Sequence, residues 1–248
     1  EQPVQAVSLK PDDVASIIYT SGTTGNPKGV ELTMNNLVSN IDSLADLWKH
    51  ELNTENVSLA FLPWAHVFGQ TAELHSCIRN GSAMAIVADR EQILESFGMV
   101  KPSVLISVPA LFNRVYDGIM TKIADASPTK QKIFAAARAA KRAYNNDLEY
   151  GRTPGTWTSF KASIADKVVF SKIRDALGGN LRWAAAGGAA TSMEVAQFFE
   201  DMGVPVCEGY GLTETSPVIT AGANGWETRR LGCSGVVLKD ITVRIINP

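Results

Sequence analysis

A chain of 248 residues, 45% hydrophobic and 19% charged, can bury the core of one large domain or of two modest ones. Its net charge of -2 gives no global reason to expect nucleic acid or an anionic membrane as a partner, and no apolar run approaches the roughly 18–20 residues that span a bilayer. Cys77, Cys207 and Cys233 are odd in number and widely spaced, which argues against a disulfide framework and fits a reducing cytoplasm. Together with His50, His66 and His75, which form no HExxH pair, they also argue against a zinc site.

Residues 1–5 have neither the basic segment nor the apolar core of a signal peptide. Strand-like and helical runs then alternate, the pattern of an α/β architecture with a largely parallel sheet flanked by helices. The apolar run over 14–20 predicts a buried strand that opens straight into a loop. A helix is predicted from near Thr33, with Leu37, Ile41, Leu44 and Trp48 along one face. A short strand over 58–62 ends at Pro63, a helix covers 71–79, and Gly81 turns the chain into a strand over 83–88. A helix over 91–98 and a buried strand over 104–108 follow.

From Ala110 to about Tyr150 the pattern is helical, broken at Ser127-Pro128. Five basic residues (Lys130, Lys132, Arg138, Lys141, Arg142) and no acidic one lie between Lys130 and Asn146. A solvated helix face is the ordinary reading of that run, and approach to anionic lipid is the alternative. Residues 151–155 form a loop, and 168–177 a helix closed by Gly178-Gly179. The last third returns to αβ order with a strand over 181–186 and a tight turn at Gly187-Gly188. Thr191 and Glu194 have the capping-box spacing for a helix running to Met202, with Gly203 as its cap. A strand over 204–207 leads into Glu208-Gly209-Tyr210-Gly211-Leu212-Thr213-Glu214-Thr215, and residues 243–248 read like a strand entering a turn. A chain that begins without Met and stops there is expected to be a piece of a longer protein, with 1–248 as one truncated domain.

The chemistry concentrates first in Tyr19-Thr20-Ser21-Gly22-Thr23-Thr24-Gly25-Asn26-Pro27-Lys28-Gly29. Glycines bring backbone N–H groups close to phosphate oxygens, Ser and Thr hydroxyls donate further hydrogen bonds, and Lys28 supplies positive charge. Such a loop after a strand is a phosphate cradle. It is not a Walker A loop: counting five on from Gly22 reaches Pro27, and Lys28 is followed by Gly29.

The loop resembles the phosphate-binding signature of the adenylate-forming superfamily, which includes acyl-CoA synthetases, peptide-synthetase adenylation domains and luciferases. Leu62-Pro63-Trp64-Ala65-His66-Val67-Phe68-Gly69 is similar to that family's motif bordering the acyl channel and nucleotide. Gly187-Gly188-Ala189 and Glu208 to Glu214 resemble its adenine, phosphate and metal motifs, in the family's order. The resemblance implies that this is the central part of a large N-terminal domain. ATP, Mg²⁺ and CoA would then be its small-molecule partners, with a fatty acid as substrate.

Carried over by position, Tyr210 would stack on adenine, with Gly187, Gly188, Glu208, Gly209 and Gly211 around the base. Thr213 would contact the α-phosphate. Glu214 would ligate Mg²⁺, a hard cation that favours oxygen ligands, with Thr20 nearby. Ser21, Gly22, Thr23, Thr24, Gly25 and Lys28 would hold the β- and γ-phosphates. His66 would line the site without acting as a general base, because a carboxylate substrate is already ionised at neutral pH. His75 and Glu73 read as helix surface or packing.

The segments around Leu111-Phe112-Asn113-Arg114 and Val169-Phe170-Ser171-Lys172 look like the long-chain fatty acid–CoA ligase branch. A fatty acyl-AMP ligase serving a carrier protein, and a non-catalytic nucleotide-binding module, are the rivals. The ribose-binding Asp and C-terminal Lys that the resemblance also implies have no matching motif here, so the chain alone is expected to lack ligase activity. Cytoplasmic placement, with peripheral contact at the inner membrane face, completes the expectation.

Overall fold

The computed structural model describes residues 8–21 and 26–246. Two strands, β1 (Val14–Thr20) and β2 (Lys28–Thr33), pair antiparallel as a separate hairpin, with Thr20 opposite Lys28. The expected buried strand is therefore a largely exposed one: Tyr19 is 73% exposed and only Ile18 is buried. Its partner is the neighbouring β2 rather than a strand of the central sheet.

Helix α1 (Met34–Leu47) follows β2 without a linker. Thr33 caps it: the Asn36 N–H donates to the Thr33 hydroxyl at 3.2 Å, and the Thr33 N–H donates to the Asn36 side chain at 3.0 Å. Leu37, Leu44 and Trp48 are buried along the face that the sequence periodicity predicts.

The main sheet then builds up through β3 (Val57–Ala60), β4 (Ala83–Ile86), β5 (Val104–Ser107), β6 (Trp183–Ala186), β7 (Val206–Gly211), β8 (Val218–Ala221) and β9 (Val236–Val237). Its order is β4-β3-β5-β6-β7-β8-β9, parallel from β4 to β7 and antiparallel at β8 and β9. Both faces are covered, so β5 and β6 are buried at every position, and apolar residues run along them without alternation up to Ser107. Leu105, Ala184, Ala186 and Val206 join one core; Ile106, Trp183, Ala185 and Cys207 join the core on the opposite face.

The first core lies under α3 (Ile93–Val100), α4 (Pro109–Ala124), α5 (Pro128–Glu149) and α8 (Met193–Asp201). Edge-on aromatic pairs at about 5 Å, Phe112–Phe199 and Tyr116–Phe198, lock α4 to α8. The second core carries the Trp48–Trp183 pair at 5.3 Å and sits under α1 and α2 (Ser76–Asn80).

Several expectations shift. The helix expected over 71–79 opens as a π-helical stretch, Phe68–His75, before α2. The helix expected over 168–177 begins earlier, as α6 (Thr156–Ala165), and runs through a π-helical turn, Asp166–Phe170, into α7 (Ser171–Asp175). The cap of α8 is Ser192, whose hydroxyl accepts from the Val195 N–H at 3.3 Å. Glu194 is not part of a capping box, because its carboxylate accepts the Tyr116 hydroxyl proton at 2.5 Å. The strand expected over 204–207 starts at Val206 and runs on to Gly211. Residues 241–246 form no strand.

The basic run on α5 is not simply a solvated face. Arg138 and Arg142 approach the buried Asp201 at 3.9 and 3.6 Å, and Lys141 approaches Asp166 at 3.9 Å. Arg174 holds Asp166 through two 2.8 Å hydrogen bonds, and this guanidinium lowers the Asp166 carboxyl from its ordinary value.

Candidate functional site

Ligands of open α/β sheets bind outside the carboxyl ends of the parallel strands. Here β6 ends in Gly187-Gly188, β7 runs through Tyr210 to Gly211, and the loop after β3 carries His66. These three exits and Thr20 at the end of β1 converge on one cavity of about 280 Å³. His66, Gly187, Gly188, Gly209, Tyr210, Gly211, Thr213 and Glu214 all face it together with Thr20. Residues nearly 200 positions apart in sequence are thus neighbours.

The glycines are dictated by space. Gly188 has φ +83°, a left-handed conformation that favours glycine, and its bare backbone borders the cavity. A Cβ on Gly187 would stand 2.8 Å from the Phe68 ring, and one on Gly211 would collide with the Pro217 carbonyl at 1.9 Å. Tyr210 is half exposed, with its ring at the cavity edge. Thr213 to Thr215 form a 3-10 turn fixed by the Thr215 hydroxyl, which accepts from the Leu212 N–H at 2.9 Å. That turn leaves the Glu214 carboxylate exposed, with no hydrogen bond or ion pair among the described residues, and β2 runs beside it.

His66 is exposed, and its Nδ1 accepts from the Phe68 N–H at 3.2 Å. For the neutral ring this assigns the proton to Nε2, which leaves an N–H donor directed away from its own loop. Glu208 is set apart from the cavity lining, since one carboxylate oxygen accepts from the Thr191 N–H at 3.1 Å. Lys28 does not line the cavity either, but its pairing opposite Thr20 keeps its exposed side chain at the same end of the hairpin. Ser21 is exposed next to Thr20, while Gly22, Thr23, Thr24 and Gly25 lie outside the described residues.

Other residues that the motifs did not single out as site residues also form the wall. Phe68 stands over Gly187, Trp48 reaches in from the end of α1, and Cys207 lies on the floor. The Trp183 indole donates to the Cys207 sulfur and the thiol donates to the Ala223 carbonyl, both at 3.1 Å. Burial pushes that thiol up to about 12, so it packs rather than reacts. The sequence signal that could have pointed to Phe68 is its place in the Leu62–Gly69 motif, two residues after His66.

Behind the His66 loop lies a polar cluster that decides between the surface and packing readings of Glu73 in favour of packing. Glu73 is fully buried on the π-helical stretch, and burial pushes its carboxyl up to about 8. It faces the Trp64 indole and the Leu62 backbone, which belong to the His66 loop. His75 is part-buried and held below its ordinary value by burial.

The profile of the AMP-binding enzyme family matches residues 1–248. Peroxisomal long chain acyl-CoA synthetase 7 of Arabidopsis thaliana is 36% identical over 217 residues, covering 87% of this chain and 29% of that protein. The long-chain-fatty-acid–CoA ligase FadD15 of Mycobacterium bovis is 36% identical over 219 residues, covering 87% of this chain and 35% of its own length. Among solved structures, a malonyl-CoA ligase product complex with methylmalonyl-CoA and AMP matches with TM-score 0.63 and 25% identity, over 96% of this chain and 41% of that one. ATP-bound MatB from Rhodopseudomonas palustris, at 23% identity and TM-score 0.61 over 94% of this chain and 35% of its own, shares the fold. The chain spans about a third of the length of the curated relatives it matches. A family match from first residue to last, on a doubly covered parallel sheet with its cavity at the strand ends, places this chain in the family of adenylate-forming, AMP-binding enzymes.

Proposed function

We propose that the chain is the nucleotide-gripping part of a long-chain fatty acid–CoA ligase. The observation that carries this is the convergence of Thr20, His66, Gly187, Gly188, Tyr210, Thr213 and Glu214 on one cavity. The long-chain assignment of substrate rests on the likeness to the plant and mycobacterial enzymes named above.

In this reading the Tyr210 ring stacks on adenine while Gly188, Glu208 and Gly209 bring backbone close to the base. The Thr213 hydroxyl donates to the α-phosphate. Ser21 through Gly25 and Lys28 hold the β- and γ-phosphates, which leave as pyrophosphate. Glu214, with Thr20 beside it, fits a hard cation, because its carboxylate is exposed at the cavity edge with no described partner. Mg²⁺ held there would neutralise charge on the phosphates. The fatty acid carboxylate oxygen attacks the α-phosphorus, the bond to pyrophosphate breaks, and an acyl-adenylate forms. The CoA thiol, losing its proton, then attacks the acyl carbon and AMP departs. The protein's contribution to the first step is positioning and charge stabilisation, with His66 lining the site rather than taking a proton.

The test separates binding from turnover. Calorimetry on this chain should give AMP binding that Glu214→Gln leaves within twofold, and Mg²⁺-dependent ATP binding that the same change weakens at least tenfold. Equal effects with and without Mg²⁺ would remove Glu214 from the metal role. Pyrophosphate release from ATP by the 248-residue chain, with Mg²⁺ and palmitate present, should stay near background, and a robust rate would overturn the expectation that the chain alone is inactive. CoA-dependent AMP release by a full-length version would distinguish a CoA ligase from an acyl-AMP ligase.

A further inference from the structure

Helix α6 and the turns that continue it carry an apolar stripe that nothing among the described residues covers. Trp157, Phe160, Ile164 and Val168 are 66%, 54%, 47% and 48% exposed. Along α6 the spacing of Trp157, Phe160 and Ile164 keeps them within an arc of about 60° at 100° per residue, and Val168, on the π-helical turn, lines the same groove as Ile164. Trp157 and Phe160 stack with their ring centroids 5.5 Å apart, so the two exposed rings form one aromatic cluster. The stripe borders an apolar groove of about 610 Å³ between α6 and α5, floored by Ala136, Ala140 and Ala143.

Charge is distributed unevenly around it. Residues 128–174 hold ten basic and three acidic side chains, a net +7 within a chain of net -2. The acids there are already engaged: Asp166 by Arg174 and Lys141, and Asp147 by Arg152 at 3.0 Å. Glu149 is part-buried at the end of α5. Lys130, Lys132, Lys161, Lys167 and Lys172 are exposed and form no ion pair among the described residues. Lys161 and Lys167 flank the stripe on its two sides, and the Lys161 ammonium lies 5.2 Å from the Trp157 ring.

We infer that this face docks on an anionic lipid surface, with the Trp157–Val168 stripe entering the headgroup boundary and the lysines meeting lipid phosphates. An aromatic-led apolar stripe flanked by lysines is the composition of a helix lying in a membrane interface. A protein interface is the poorer fit, because lysine is depleted in those. Lys161 and Lys167 can lay their methylene stems along the stripe while their ammonium groups stay at headgroup level. The inference is independent of the catalytic reading, since the cavity faces the strand ends and uses none of these residues.

The test is co-sedimentation of the chain with vesicles of phosphatidylcholine, alone or mixed with phosphatidylglycerol. Binding should require the anionic lipid and weaken with salt. Lys161→Ala and Lys167→Ala should each lower the partition constant about fivefold. Trp157→Ser combined with Phe160→Ser should abolish it. Trp157→Phe, which preserves the apolar face, should still sediment but lose the quenching of tryptophan fluorescence by brominated lipid. Failure of the wild type to sediment, or unchanged binding in the Ser double variant, would overturn the inference. So would a wild-type dimer that those Ser changes turn into monomer, because the stripe would then join two copies of the chain.

Discussion

Replacing Glu73 by Gln should make the fold more stable, and increasingly so as the pH rises. The buried Glu73 carboxyl titrates at about 8 in the fold and at an ordinary 4.5 when unfolded. Its folded value lies above its unfolded one, so between those pH values the unfolded chain has released a proton that the native state keeps. Stability conferred by this group is therefore full below pH 4.5, and falls by about 1.4 kcal/mol per pH unit up to 8 before levelling off. The whole span reaches at most roughly 5 kcal/mol, large beside the about 5–15 kcal/mol that holds a typical domain. Gln keeps the volume and cannot ionise. Urea unfolding of both proteins at several values between pH 5 and pH 9 isolates the effect, because other titrating groups cancel in the difference. The gap should widen in favour of Gln up to pH 8 and then stay constant. A gap independent of pH would show that Glu73 ionises normally, and the burial argument would be wrong.

Two further outcomes follow from the packing. Arg229 forms a buried two-point pair with Glu200, at 2.7 and 3.2 Å, so Arg229→Ala strands a carboxylate in the interior and should cost about 3–5 kcal/mol in urea unfolding. A loss under 1 kcal/mol would mean that water reaches Glu200. Gly187→Ala places a Cβ against the Phe68 ring, which must swing towards the cavity to make room. AMP affinity should drop at least tenfold with about 1–3 kcal/mol of stability lost, and unchanged affinity would separate Phe68 from the nucleotide.

How far the sequence foretold this arrangement depends on the range of the interactions that fix each part. The central strands were readable because β5 and β6, covered on both faces, are buried at every position and apolar at all but Ser107. The motif residues were singled out because glycine, hydroxyl and carboxylate recur at close spacing in them, and Thr20, His66, Gly187, Gly188, Gly209, Tyr210, Gly211, Thr213 and Glu214 do face one cavity. The β1 strand misled because an apolar run looks the same in a sheet core and in an exposed hairpin; the partner decides, and β2 lies just beyond the loop. Helix α6 was missed since Thr156, Trp157, Thr158 and Ser159 are weak helix formers, and packing against α5 supplies what propensity lacks. Glu73 was left between surface and packing because the sequence did not reveal the π-helical stretch on which it is buried. The cap of α8 moved by one residue because Glu194 found Tyr116, a partner 78 positions away.

The linker-free junction between β2 and α1 sets a limit on how this chain can change length. From α1 and the turn after it, Asn40 exchanges two hydrogen bonds with the Val218 backbone, Ser43 reaches the Lys239 carbonyl and Trp48 the Gly222 carbonyl. One rod thus begins at the hairpin holding Thr20 and Lys28 and clamps the strand that follows the Thr213–Glu214 turn. A single residue inserted within α1 would rotate those clamps by about 100° and advance them about 1.5 Å relative to the hairpin. The loop at 151–155, by contrast, joins two helices at the surface and can absorb added residues with little penalty. Insertions and deletions should accordingly be purged from α1 and accumulate at 151–155, with the rod serving as the gauge that keeps the two ends of the cavity at a fixed separation.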